Sequence, residues 1–314
     1  MIMKHKESIL ASHQRISPYI HETPVLTSQG INAICGADLF FKCENFQKMG
    51  AFKMRGATNA ILQLTEAQRS RGVVTHSSGN FAQALSLAAK SLSVPAYIVM
   101  PENAPQVKKD AVLSYKGKIT ICESTIAARE STSDKIAKET GATFVHPSND
   151  MDVIYGNATA CLELLEAQPH LEIVIAPVGG GGLLAGTALA THYFGENCLA
   201  IGGEPTEVND AFRSLKSGKI EGNETTNTIA DGLRTNLGNI NFPILQKYVD
   251  QIICVEEQAI LEAMQLLYQR LKIVVEPSSA VALAVVLQNK NTFRNKSIGI
   301  LLSGGNVDLQ KLPF

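Results

Sequence analysis

Three observations predict an α/β fold with open, mostly parallel sheets flanked by helices. Short apolar, β-branched runs alternate with helical patterns along the chain. The strand-like runs are almost continuously apolar, as parallel strands covered on both faces must be. Glycines and small polar residues cluster directly after several of these runs, where an open α/β sheet binds its ligands.

The strand candidates, in order, are DLFFKCE (38–44), GVVTHSS (72–78), AYIVMP (96–101), KITICE (118–123), TFVHP (143–147), EIVIAPV (172–178), LAIGGEP (199–205), QIICV (251–255) and SIGILLSGG (297–305). Between them lie helical stretches such as FAQALSLAAKSL, STSDKIAKETG and AILEAMQLLYQRL. Two sheets are expected rather than one of nine strands. Residues 71–149 form a compact series that reads as a small mobile domain. Residues 1–70 plus 150–314 then form a larger, discontinuous domain, with the ligand in the crevice between the two.

The 314 residues carry a formal net charge of −1, are 45% hydrophobic and 18% charged, and have short charge runs of mixed sign. That composition argues against nucleic acid or an anionic membrane as partner. The six cysteines form no CxxC pair, and several lie in apolar runs, so they read as buried free thiols in a reducing compartment. The N-terminal stretch has no long apolar core and no stretch approaches the length of a membrane span. A cytoplasmic protein is expected.

The strongest local signal is APVGGGGLLAGTALA (176–190), where a buried-type strand runs into Gly179, Gly180, Gly181 and Gly182 and then an apolar helix. Four glycines let backbone N–H groups converge on an anion at a helix N-terminus. No GK[ST] follows and no GxGxxG is present, so this phosphate cradle is not a nucleotide fingerprint. A plain turn would need one or two glycines. In THSSGNFAQALSLAAK (75–90), Ser77, Ser78 and Asn80 precede a helix. One of them suffices as a cap, and the group together suits a ligand carboxylate. In LLSGGNVDL (301–309), a buried strand delivers Ser303 to a Gly-Gly turn, which on its own is equally a simple strand end. Lys53, in QKMGAFKMRGA, would alone read as a solvated surface residue. In the company of a phosphate cradle and a carboxylate loop, it suggests a phosphorylated aldehyde cofactor bound covalently to the lysine.

On these motifs the chain resembles the fold-type II pyridoxal-phosphate enzymes, tryptophan synthase β-like in architecture, and among them the serine racemase and serine/threonine dehydratase (ammonia-lyase) group. The resemblance runs from RISPYIHETPVLTS (15–28) through FKCENFQKMGAFKMRGA, HSSGNFAQA, PVGGGGLLAG and EPSSAVALA (276–284) to SGGN. It implies that Lys53 binds pyridoxal 5′-phosphate and moves the substrate Cα proton, with Phe52 beside the ring. Asn80 would bond the cofactor 3′-oxygen, and Gly179 to Gly182 with Leu183 its phosphate. Gly232, in TIADGLR, would lie against the cofactor and Ser303 would face its ring nitrogen. Ser77, Ser78, Gly79, Asn80 and Phe81 would hold the amino-acid substrate. Ser78 matches the serine that is the second base in the racemases of this group, which permits racemisation, although dehydratases of the group can carry serine there too. EPTEVND (204–210) resembles a divalent cation site, with Glu204, Asp210 and the Val208 carbonyl as oxygen ligands for Mg²⁺ or Ca²⁺. Its plain alternative is an acidic surface loop.

The implied reaction is β-elimination of L-serine and L-threonine to a 2-keto acid and ammonia, with serine racemisation beside it. A dedicated serine racemase is the alternative, and a 3-hydroxyaspartate ammonia-lyase comes third. The resemblance also implies a homodimer formed through the larger domain. Three departures matter. Ala51 stands where serine or threonine is usual. Phe81 replaces a common histidine, which disfavours a dianionic substrate, although Arg129 offers a cation nearby. Lys48, Gln83 and Tyr115 match nucleotide-binding positions of the animal racemases, but Ser148 replaces an asparagine there, which argues against ATP activation.

Overall fold

The computed structural model describes residues 2–314. Ten strands form two sheets: β1 (Val25–Leu26), β2 (Asp38–Cys43), β3 (Val73–His76), β4 (Ala96–Pro101), β5 (Lys118–Cys122), β6 (Thr143–Phe144), β7 (Ile173–Pro177), β8 (Leu199–Pro205), β9 (Val249–Val255) and β10 (Ser297–Leu302). The large sheet has the order β1-β2-β10-β7-β8-β9 and the small one β5-β4-β3-β6. All pairings are parallel except β1 with β2. The α/β class and mostly parallel sheets expected from the sequence are thus observed.

Why the strands read as continuous apolar runs is visible in where their side chains go. In β7, Ile173 and Ile175 enter one core with Phe41, Ile300 and Val281, while Val174 and Ala176 enter another with Leu184, Leu162 and Leu301. Successive residues point to opposite faces, and helices cover both, so every position is apolar. The small sheet repeats the scheme: Val73 and Ile98 face a core with Leu85 and Phe81, and Val74 and Val99 face one with Ile136.

Two details differ from the sequence reading. β1 lies in ETPVLTS, which carries no strand signal of its own. It is only two residues long and pairs antiparallel with β2 at the sheet edge. β6 stops at Phe144, well short of Pro147. Proline has no N–H for a ladder, and the chain turns there toward Lys53.

Both sheets change winding direction beside their central strands. The loops after β3, β7 and β10 leave from carboxyl ends at these switch points, where an open α/β sheet leaves a crevice. No helix among the described residues is long and apolar enough to cross a membrane.

Candidate active site

Lys53 begins the helix Lys53–Gln63. The chain reaches it from the end of β2 and is pinned to the end of β10: Phe52 N donates to Ser303 O (3.0 Å), Gly305 N to Gly50 O (2.8 Å), and Ala51 bridges Gly304. The small side chain at 51 fits this approach, since a Cβ at Gly304 would lie 2.9 Å from that of Ala51. Lys53 Nζ donates to Pro147 O (2.8 Å), and the rings of Phe52 and Phe81 lie 4.9 and 5.7 Å from it. Burial pushes its pKa from 10.5 down to about 8, opposed by the negative charge of Glu276. The amine is therefore far closer to its neutral, proton-accepting form than a surface lysine.

The glycine run sits between β7 and the helix Gly182–Phe194. Gly181 has φ +80°, a conformation open to glycine at little cost. Ala185 N closes the first turn on Gly181 O (2.9 Å). Among the described residues, the N–H groups of Gly180, Gly181, Gly182 and Leu183 donate to no protein acceptor. These orphan donors at a helix N-terminus fit a phosphate. The run has a second reason for its composition. A Cβ at Gly182 would stand 2.9 Å from Ser148 backbone, and one at Gly179 would stand 2.7 Å from Leu233 Cα and 3.1 Å from Gly232 O. Gly232, itself exposed, is thereby held against the cradle.

The loop at 146–149 packs against the cradle. His146 Nδ1 accepts from Ser148 N (3.1 Å) and Asn149 N (2.8 Å), and burial drives its pKa down to about 4, so the ring is neutral. Asn241 Nδ2 donates to Gly180 O (2.7 Å) and Ser148 O (3.2 Å). Neither contact is legible in the sequence, because the partners lie 61 and 93 residues apart.

Asn80 opens the helix Asn80–Ser91 after the Ser77–Gly79 loop at the end of β3. Its Nδ2 donates to Glu276 Oε1 (2.8 Å) and Oε2 (3.0 Å), and its Oδ1 accepts from Asn306 Nδ2 (2.9 Å). Ser77 Oγ accepts from Gly79 N (3.3 Å), whereas Ser78 Oγ has no hydrogen-bond partner among the described residues. Ser303 is buried, and its Oγ lies 3.0 Å from Ser279 Oγ, which also binds Gly304 N and O at 2.7 and 2.6 Å. Lys108 Nζ reaches across the cleft to Asp231 Oδ2 (2.6 Å), next to Gly232. Lys53, the cradle, the serine loop, Gly232 and Ser303 therefore meet in one crevice. Lys48 Nζ is spent on Tyr19 O (2.7 Å).

Glu204 lies near the end of β8, Val208 and Asp210 follow that strand, and all three are fully buried. Glu204 accepts from Ala211 N (2.9 Å) and Phe212 N (2.8 Å), and Asp210 from Asn223 Nδ2 (2.7 Å) and Leu237 N (3.1 Å). Burial raises Glu204 to about 8 and Asp210 to about 6. Among the described residues no cluster of three His, Cys, Asp or Glu side chains accompanies them.

The sequence matches the family described as pyridoxal-phosphate dependent enzyme over residues 16–304. It is 50% identical over 312 residues to a serine racemase of Arabidopsis thaliana, covering 97% of this chain and 94% of the relative. It is 47% identical over 308 residues to a beta-hydroxyaspartate dehydratase of Paracoccus denitrificans, covering 98% of both. The solved serine racemase of Dictyostelium discoideum superposes with a TM-score of 0.93 at 47% identity, covering 96% of this chain and 98% of that one. With the fold, the cradle and the half-buried lysine in agreement, the chain belongs to the fold-type II pyridoxal-phosphate dependent enzymes.

Proposed function

We propose that this protein is a lyase that converts L-serine and L-threonine to 2-keto acids and ammonia, with serine racemisation as an accompanying activity. The carrying observation is an asymmetry between two proton-handling groups. Lys53 is brought down to about 8 by burial, so it is an effective base near neutral pH. Ser78 Oγ has no partner among the described residues, and a serine hydroxyl is a poor base unless a neighbour activates it.

Bound pyridoxal phosphate supplies an electron sink conjugated to the substrate Cα. The residues assigned to it are Lys53 and Phe52, the N–H groups of Gly179 to Leu183, Asn80, Gly232 and Ser303. The loop Ser77–Gly79 with Asn80 orients the substrate carboxylate, and Lys53 takes the Cα proton. The Cβ hydroxyl would leave as water with the proton that Lys53 took from Cα, and the enamine product tautomerises and takes up a water to give the keto acid and ammonia. Phe81, buried against the Lys53 side, adds an apolar wall and no proton donor. We read residues 71–149 as the mobile part that closes on the remainder, 1–70 plus 150–314, with Lys108–Asp231 and Asn80–Glu276 spanning the cleft.

The test supplies L-serine and quantifies pyruvate and D-serine in one tube. Pyruvate in excess, with L-threonine also consumed, is the expected result. Ser78→Ala should keep elimination within a few-fold and cut racemisation by roughly 10²-fold or more. D-serine equal to or above pyruvate would instead make the protein a dedicated racemase. Arg129 favours a further reading, a β-hydroxy dicarboxylic amino acid as substrate. Its Nε is buried without a partner among the described residues, and burial, with the Arg129 charge adding to it, lowers the pKa of His76, beside the serine loop. Faster keto-acid release from 3-hydroxyaspartate than from serine or threonine would establish that reading.

Mg²⁺ or Ca²⁺ at Glu204, Asp210 and the Val208 carbonyl is supported by the all-oxygen donor set and by burial of two carboxylates with a free lone pair on each oxygen. Both folded-state pKa values are raised, so without cation the folded state holds protons that the unfolded state releases. Stability should then fall as pH rises from 4.5 toward about 8, the span over which Glu204 is shifted. A bound cation replaces those protons. Thermal melts in Mg²⁺ should lose this pH slope, and melts in chelator should keep it. Identical slopes would remove the metal assignment.

A further inference from the structure

EPSSAVALA contains a carboxylate that the proposed reaction leaves unused. Glu276 stands at the N-cap of the helix Pro277–Gln288, where a carboxylate ordinarily accepts from the helix's own first N–H groups. It makes no such bond. Its side chain, 6% exposed, turns away and gives both oxygens to Asn80 Nδ2 instead (2.8 and 3.0 Å). No ion pair within bonding distance offsets it among the described residues. Glu276 N in turn donates to Gly304 O (3.0 Å), and its Oε1 lies 3.0 Å from where a Cβ of Gly304 would stand. The carboxylate is therefore wedged between Asn80 and the turn that follows Ser303.

The polarity of the amide chain is determined by this carboxylate. Above about pH 7, where it is ionised, the carboxylate only accepts, so Asn80 must present its NH₂ to Glu276. Its carbonyl oxygen then faces Asn306 Nδ2 (2.9 Å), whose nitrogen also donates to Met49 O (2.9 Å). A buried charge without an ion-pair partner is costly, and a helix cap alone would not require it to leave its own helix. The charged groups that face Glu276 are Lys53, Asp231 and Lys108. Burial raises its pKa to about 7, while its charge holds that of Lys53 up.

We propose that Glu276 is a positioning residue of the reaction centre: it fixes the Asn80 amide in one orientation and supplies a buried negative charge beside the Lys53 segment, since Glu276 N and Phe52 N are held on the same Ser303–Gly304 turn. The inference rests on the assignment of Lys53 and Asn80 to the cofactor. With the charge present, a proton on the Lys53 nitrogen is favoured after attachment to the cofactor. With the amide fixed, its NH₂ edge is the one that Asn80 offers to the cofactor's 3′-oxygen.

The experiment compares wild type, Glu276→Gln and Glu276→Asp, each reconstituted with pyridoxal phosphate, by absorbance across pH and by steady-state kinetics. In Glu276→Gln the charge is gone and one of the two acceptor oxygens becomes an NH₂, so the Asn80 amide is no longer held to a single orientation. Its visible band should give way to the near-ultraviolet band at lower pH than in wild type. Its kcat should fall roughly 10–100-fold with KM changed far less. Glu276→Asp keeps the charge but draws the oxygens back by one methylene. Its visible band should titrate as wild type while cofactor dissociates faster. A folded Glu276→Gln with the wild-type titration and kcat overturns the proposal and leaves the functional reading intact. If that variant does not fold, Glu276→Asp decides. Faster dissociation with a wild-type titration supports the proposal, and wild-type dissociation or a shifted titration overturns it. A wild type without a lysine-dependent visible band overturns both.

Discussion

Lys53→Ala should yield a folded protein that forms neither keto acid nor D-serine at a measurable rate and lacks the lysine-dependent visible band after incubation with pyridoxal phosphate. The fold should survive because alanine is the best helix former and the position opens a helix. The Lys53 amine makes one hydrogen bond, to Pro147 O at 2.8 Å, so little packing depends on it. Loss of the proton-transfer group alone accounts for roughly 10²–10⁴-fold in rate, and loss of covalent attachment adds to it. The wild type should show the matching pH dependence. Lys53 accepts a proton only when neutral, and burial brings its pKa from 10.5 to about 8. The rate should therefore decline as pH falls below about 8, on the acid side, and not near the ordinary lysine value. Product formation by a folded Lys53→Ala protein at more than a small fraction of the wild-type rate would remove Lys53 from the chemistry.

Parts of this site were legible in the sequence because they are local. A strand, a glycine run and a helix follow one another at 173–194, and an anion cradle needs nothing else. β7 and β10 were legible because both faces of the sheet are covered, which makes apolarity continuous. Other parts arise only on folding. β1 is two residues whose strand character comes from pairing with β2, not from its own pattern. The close packing of Gly179 and Gly182 on Leu233 and Ser148 involves segments far apart in the chain, so the glycines looked needed for a ligand alone. Glu276 read as one letter of a motif. Its turn away from its own helix toward Asn80, 196 residues earlier, leaves no trace in local spacing. The plain alternative for 204–210, an acidic surface loop, does not describe Glu204 and Asp210, which are fully buried.

Arg55→Met should destabilise the protein by roughly 3–5 kcal/mol, a drop in thermal midpoint on the order of 10 °C. Arg55 lies two residues past Lys53 and is wholly buried. Its Nε and Nη2 donate to Glu44 at 2.7 and 2.9 Å, its Nη1 and Nη2 to Glu163 at 2.6 and 2.7 Å, and Nη1 also to Thr159 at 3.1 Å. Lys42 Nζ completes the group with Glu163 and Thr23 O, both at 2.6 Å. Burial alone would favour a neutral Arg55, but Glu44 and Glu163 outweigh it and hold its pKa above the usual value. Two cations and two anions balance, so methionine leaves two buried carboxylates with one cation. Glu44→Gln/Arg55→Met, which restores neutrality, should recover much of the loss. Burial pushes Glu163 up, but Arg55 and Lys42 outweigh it and lower its pKa. The stability this gives is present above 4.5, the ordinary carboxylate value, and is lost as pH falls through the lowered one. In Arg55→Met the stranded carboxylates gain protons on acidification and become easier to bury. The deficit against wild type should therefore be widest at neutral pH and narrow toward pH 4. Denaturant melts at both pH values measure it, and an equal deficit at the two would show that lost packing, not stranded charge, sets the cost.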